Sequence, residues 1–233
     1  NREWACRAAF SVARLLAQDL KDLGINTNCA PVLDLPVPGA HGIIGDRAYS
    51  NDLNEVIKLG GAVAQGFIAG GVLPVIKHIP GHGRANKDSH LDLPVVSTPR
   101  HELSKTDFAT FSALAKLPAA MTAHVVFSAI DPGAPATTSR TVLQDVVRRE
   151  IGFDGLLMSD DLGMHALKGS MRERAEAVIS AGCDIILHCS GVLSEMEDVA
   201  FSTPALSGKA LERANHAFSV TTKNEYFNVE EAE

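Results

Sequence analysis

Apolar positions along the chain follow two rhythms. In residues 2–23, 51–69, 99–116, 139–150, 171–181 and 204–222 they recur three and four apart, the spacing that gives a helix one apolar face. Between these segments lie short, nearly continuous apolar runs at 28–33, 72–76, 119–123, 156–158 and 184–187. Each is too short for a helix. Each follows a turn signal: Leu23-Gly24, Gly70-Gly71, Leu117-Pro118, Phe153-Asp154-Gly155 and Ala181-Gly182. A strand apolar on both sides is buried on both sides, as in parallel sheets. Strand and helix alternating in this order predict either a doubly wound open sheet or a (β/α) barrel.

The polar residues decide between the two. Every predicted strand ends in an ionisable group: Asp34, Lys77-His78, His124, Asp160-Asp161 and His188. An open sheet spreads five strand ends over roughly 20 Å, at about 4.8 Å per strand. A barrel brings them onto one small circle, the face where barrel enzymes keep their chemistry. No G-x-G-x-x-G fingerprint follows any of the strands, which weakens a nucleotide-binding open sheet. The prediction is therefore an α/β fold of the TIM-barrel type. It is an incomplete barrel, because a full one needs eight strands and the pattern gives about five. The chain opens at Asn1 inside an amphipathic helix with no strand before it, so an N-terminally truncated barrel is expected. Residues 1–222 are taken as the partial barrel and 223–233 as a C-terminal tail.

Composition narrows the functional classes. The 233 residues are 45% hydrophobic and 21% charged, the balance of a globular domain. A net charge of −7 and only 5% aromatics argue against nucleic acid or an anionic membrane surface as partner. The uncharged stretch 59–76 approaches the length of a membrane span. Gly70-Gly71 and Pro74 divide it, and it reads better as the end of a helix followed by a buried strand. Cys6, Cys29, Cys183 and Cys189 are widely spaced, with no C-x-x-C pair. That favours reduced thiols over a disulfide or zinc framework.

The densest polar segment follows the second strand: Lys77-His78-Ile79-Pro80-Gly81-His82-Gly83-Arg84, then Asp88-Ser89-His90. In Asp88-x-His90 a carboxylate can accept from one imidazole nitrogen, which fixes the tautomer and readies the other nitrogen for proton transfer. His82, Asp88 and His90 are also metal-ligand types, but Lys77 and Arg84 beside them repel a cation. A phosphate cradle from Gly81 and Gly83 is weaker, because no helix start follows closely. The second candidate is Ser159-Asp160-Asp161. Adjacent strand residues face opposite ways, so only one of the two aspartates can face the barrel axis. A helix-cap role before Leu162 is the plainer alternative.

These segments, with Gly155-Leu156-Leu157-Met158-Ser159-Asp160-Asp161-Leu162, resemble the β-N-acetylhexosaminidases of glycoside hydrolase family 3. The likeness extends over about residues 10–190 and includes Ala30-Pro31-Val32-Leu33-Asp34, Gly45-Asp46-Arg47-Ala48-Tyr49, Ala123-His124 and Ala181-Gly182-Cys183-Asp184. The resemblance implies retaining hydrolysis of a terminal β-linked N-acetylglucosamine, without cofactor or metal. It implies Asp160 as nucleophile, His90 held by Asp88 as acid/base, and Arg47, Lys77 and His78 on the sugar hydroxyls. The bacterial members it resembles act in the cytoplasm in peptidoglycan recycling, on N-acetylglucosaminyl-1,6-anhydro-N-acetylmuramic acid with or without its peptide. Two features depart from the family. Its first three strands and an acidic, glycine-rich segment, roughly Asp-Gln-Glu-Gly-Gly-Arg, are missing, and Ile79 stands where Phe is more frequent. An inactive or sugar-binding remnant and an N-acetylglucosaminide phosphorylase are the alternatives. An open barrel edge leads to an expected tendency to self-associate.

Overall fold

The structure, a computed structural model, describes residues 2–222. The expected tail at 223–233 lies outside the described residues. In chain order the strands are β1 (Thr27–Asn28), β2 (Leu73–Ile79), β3 (Val95–Val96), β4 (Ala119–Thr122), β5 (Val126–Phe127), β6 (Leu156–Asp161) and β7 (Ile185–Leu187). Five of them form one curled parallel sheet in the order β1-β2-β4-β6-β7. This is an incomplete α/β barrel with helices on its outer face. The helices are α1 (Arg2–Asp22), α2 (Leu53–Ala69), α3 (Arg100–Leu103), α4 (Asp107–Ala113), α5 (Met171–Ala181), α6 (Leu193–Ser202) and α7 (Gly208–Phe218), with a π-helix at Val142–Glu150.

Alternation along the strands divides the core in two. Ile76, Ala120 and Leu157 point outward and pack with Val56 and Ala64 of α2, Phe108 and Phe111 of α4, and Val146 and Val147 of the π-helix. Leu73, Val75, Ala119, Met121 and Leu156 point inward, where Ala214 and Ala217 of α7 lie over the lower, N-terminal ends of the strands. A buried charge network holds that end. Asp184 accepts from Arg148 at 2.9 Å, from Arg213 at 3.1 Å and from the Leu157 amide at 2.9 Å. Arg213 also bonds Asp154.

Several elements differ from the sequence pattern for identifiable reasons. The ladder of β1 ends at Asn28 and resumes as the single bridge Val32–Lys77, because Pro31 has no N–H to give it. The helix expected over 99–116 is two pieces. Between them the Ser104 and Thr106 hydroxyls bond the carbonyls of Arg100 and Glu102, competing with the backbone. Helix α6 was not expected: none of its residues is fully buried, Leu193 and Phe201 are exposed, and only Val199 packs against the core. The two-residue β3–β5 ladder is likewise too short to leave a periodic signal.

The uncharged stretch 59–76 divides as the glycines indicate, into the end of α2 and the start of β2. Among the described residues no helix is long and apolar enough to cross a membrane. Both sheet edges are partly exposed. A groove of about 380 Å³ beside β1 is lined by Val12, Leu16, Asn28, Tyr49 and Phe67, and one of about 400 Å³ beside β7 by Ile185, Ile186, Met196, Val199 and Leu206.

Candidate active site

The parallel strands deliver their C-terminal ends to one rim, and the ionisable strand ends meet there. Asp34 is fully buried. Its Oδ2 lies 2.6 Å from Nδ1 of His78, and its Oδ1 accepts from the amides of His82 at 2.7 Å and His78 at 3.3 Å. Burial alone raises a carboxyl pKa. Here the electrostatic pull of the His78 imidazole and the donated hydrogen bonds outweigh it and hold Asp34 below the ordinary carboxylate range. Asp34 therefore stays an anion, and Nδ1 of His78 carries a proton toward it. The other nitrogen, Nε2, faces Asp160 Oδ2 at 4.0 Å.

Asp160 and Asp161 occupy the last two positions of β6, where the pairing with β7 shifts register between Met158 and Asp161. Asp160 is the member turned toward His78, with its side chain 16% exposed. Its Oδ1 accepts the amide of Asp161 at 2.9 Å. Asp161 instead ties loops together, accepting from the amides of Gly163 and Cys189 at 3.0 Å each. Nδ1 of the nearly buried His188 ring lies 3.6 Å from Asp161 Oδ1. Beneath them His124 is fully buried. Its Nε2 lies 3.0 Å from the Asp161 carbonyl, which can only accept, so Nε2 carries a proton, and its Nδ1 lies 2.7 Å from Thr137 Oγ1, which also donates to the Ala123 carbonyl at 3.0 Å. Burial pushes the pKa of His124 down, and a neutral ring holds the backbone next to Asp160.

Lys77 follows Leu73 and Val75 on the inward face of β2. It lies close enough to Cys29 for its charge to act on that thiol, and Asp160 acts on the same thiol with the opposite sign. Of Lys77, His78 and Asp160, the last two face each other directly at the mouth, and Lys77 stands next to His78 on β2. Arg47 is not tied to them here. It sits in a short 3₁₀ turn, Gly45–Arg47, on an exposed loop, and Nη2 donates to the Ile43 carbonyl at 2.6 Å.

The loop after β2 has a fixed stem and an exposed tip. At Gly83 a Cβ would stand 2.1 Å from the Leu35 carbonyl oxygen, so only glycine allows the loop to lie this close to the backbone beside Asp34. Gly81 adopts φ +142°, a conformation that side chains avoid. Arg84 clamps the stem to the start of α4 through Asp107 at 2.6 Å and to α3 through Glu102 at 3.1 Å. Residues 81–85 are thus mostly buried, and exposure is confined to the second half of the loop. There Nδ1 of His90 lies 2.9 Å from Asp88 Oδ1, which also accepts the His90 amide at 2.8 Å. That amide bond, then the imidazole, lowers the pKa of Asp88. The His90 side chain is 59% exposed, and among the described residues no hydrogen bond or ion pair joins it to Asp160.

His82 does not converge with Asp88 and His90 as a ligand set. Its Nε2 meets Ser89 Oγ at 2.9 Å, and burial pushes its pKa down to about 4. Among the described residues no group of three His, Cys, Asp or Glu is placed to hold a metal ion. Asp34, His124 and the Arg84–Asp107 clamp were not among the predicted site residues. The rule that ionisable groups at strand ends share a rim already pointed to the first two.

The chain resembles known proteins along nearly its whole length. Residues 1–214 match the model of the glycosyl hydrolase family 3 N terminal domain. A beta-hexosaminidase from Psychromonas ingrahamii is 40% identical over 84% of this chain and 59% of its own length. One from Bordetella parapertussis is 38% identical over 80% of this chain and 53% of its own. The chain thus spans between half and three fifths of these relatives. Among solved structures, NagZ from Neisseria gonorrhoeae in complex with N-trifluoroacetyl-D-glucosamine superposes with a TM-score of 0.81 at 34% identity, over 97% of this chain and 63% of that one. A family 3 beta-N-acetylglucosaminidase from Paenibacillus sp. gives 0.82 at 32% identity, over 94% of this chain and 45% of that one.

Proposed function

The chain belongs to the glycosyl hydrolase family 3 N-terminal domain family, and from that premise we propose that its site serves a retaining β-N-acetylglucosaminidase. The observations that support the proposal are a partly shielded Asp160 facing His78 at the rim and an Asp88–His90 pair on the loop that leaves the strand of His78. Asp160 attacks the anomeric carbon and forms a glycosyl ester as the bond to the leaving oxygen breaks. His90, oriented through Nδ1 by Asp88, gives that oxygen its proton from Nε2. It then takes a proton from water as the water attacks the same carbon and frees Asp160. Lys77 and His78 hold sugar hydroxyls. Arg47 does so after its loop turns inward.

Most retaining glycosidases use a second carboxyl about 5–5.5 Å from the first. An imidazole does the same work without setting a second anion against Asp160 or against an anionic aglycone. That favours a carboxylate-bearing substrate such as an N-acetylglucosaminyl-anhydromuropeptide in the cytoplasm. It equally favours phosphate as the attacking group, which would make the protein a phosphorylase. The two open sheet edges, with their apolar grooves, are where a second copy of the chain associates. A chromogenic β-N-acetylglucosaminide, assayed with and without phosphate, tests the function. Free N-acetylglucosamine supports hydrolysis and the sugar 1-phosphate supports phosphorolysis. Binding of N-acetylglucosamine without turnover would mark a remnant.

A further inference from the structure

The placement of His90 depends on one buried contact outside the Asp88–His90 pair. In the exposed tip of the loop, residues 86–92, Ser89 alone is buried. Its neighbours Asp88 and His90 point out while its hydroxyl is drawn under them to Nε2 of His82, 2.9 Å away. A hydroxyl taken out of water is destabilising unless it is hydrogen-bonded, and this is the bond it makes. His82 is itself 3% exposed and anchored, because its amide donates to Asp34, the same carboxylate that orients His78. The remaining ties of the tip lie nearer the surface: the His90 carbonyl to the His165 amide at 3.2 Å, and Asn86 to the Val95 amide at 3.4 Å. An unbroken path of contacts therefore runs from Asp34 through His82 and Ser89 to the two residues flanking Ser89.

We propose that His82 and Ser89 are positioning residues, whose bond sets where the Asp88–His90 pair stands and hence how well a proton reaches the leaving oxygen. Neither touches the reacting atoms. The inference rests on the glycosidase proposal for His90, and its test separates the two. In the full-length protein, Ser89→Ala is compared with Ser89→Thr and His82→Gln, which keep a hydroxyl and a side-chain N–H. Aryl β-N-acetylglucosaminides of graded leaving-group ability report the glycosylation step through kcat/KM. Ser89→Ala should lower kcat/KM for a phenyl leaving group by about tenfold, the worth of one hydrogen bond. It should leave the 2,4-dinitrophenyl substrate, which needs no proton, nearly unchanged, and at least one conservative variant should recover most of the loss. Equal losses on both substrates, or none, overturn the proposal while the glycosidase function stands. If the wild type neither hydrolyses nor phosphorolyses these substrates, the function fails instead. The bond is then read by hydrogen exchange: Ser89→Ala must speed exchange in 86–92, and an unchanged rate there overturns the proposal.

Discussion

Replacing Asp34 by Asn tests the hub of the site most sharply, because shape is kept and charge is lost. The carboxylate now accepts from three N–H groups, two of them at 2.6 and 2.7 Å. Hydrogen bonds to a charged acceptor are worth about 1.5–3 kcal/mol and neutral ones about 0.5–1.5. Loss of about 1 kcal/mol per bond gives about 2–3 kcal/mol in total. The amide oxygen can still take the two backbone N–H groups. Its NH₂ then faces Nδ1 of His78, which must give up its proton and move it to Nε2, the nitrogen facing Asp160. Urea unfolding at neutral pH should show the loss, and kcat/KM should fall with it. The sign of the pH dependence is fixed. The pKa of Asp34 is lower folded than unfolded, so its stabilisation is complete above the unfolded carboxyl range and disappears as pH falls through the folded value. The gap between wild type and Asp34→Asn should therefore close in acid. A variant as stable as wild type at pH 7, or a gap that widens in acid, would refute the assignment of Asp34 as a buried, charged anchor.

His90→Ala should slow glycosylation by about 10²–10⁴-fold on substrates with poor leaving groups and far less on good ones. Asp88→Asn should follow the same pattern more weakly, as steady-state kinetics on a leaving-group series would show. His82, with its pKa pushed down to about 4, stays neutral while the unfolded chain takes up a proton below about 6.5. Stability should thus fall as pH drops from about 6.5 toward 4, by up to about 1.4 kcal/mol per pH unit. His124, shifted the same way by burial, adds to the slope, and His82→Gln should flatten it in pH-resolved urea titrations. Arg213→Ala leaves Asp184 with one cation fewer in a buried network. Because Arg148 and the Leu157 amide still hold Asp184, urea unfolding should show a loss of about 1.5–3 kcal/mol with no effect on the leaving-group dependence of the reaction.

What the sequence disclosed and what it hid follow from range. The five sheet strands were legible because burial on both faces leaves an apolar run between turn residues, as in 119–123 and 156–158. The rim was legible because parallel strands share a direction, so Asp34, His78, His124 and Asp160 had to end on one side. The Asp88–His90 pair is local, two residues apart. What stayed hidden depends on distant partners. Arg84 finds Asp107 at a separation of 23 residues, and Arg213 finds Asp184 at 29. Ser89 looks like an ordinary loop serine until His82 is placed beneath it. Arg47 rests on the motif match alone, and its side chain here bonds its own loop.

In the proposed reaction Asp160 carries the sugar between the two steps. The direct measurement is to treat the full-length protein with a 5-fluoro-N-acetylglucosaminyl fluoride, which forms the ester quickly and releases it slowly, and then to map the adduct by mass spectrometry of proteolytic peptides. One added glycosyl group per chain is expected, on the peptide containing Asp160, and none in Asp160→Ala. An adduct on Asp161 or any other residue, or full turnover by Asp160→Ala, would contradict this role.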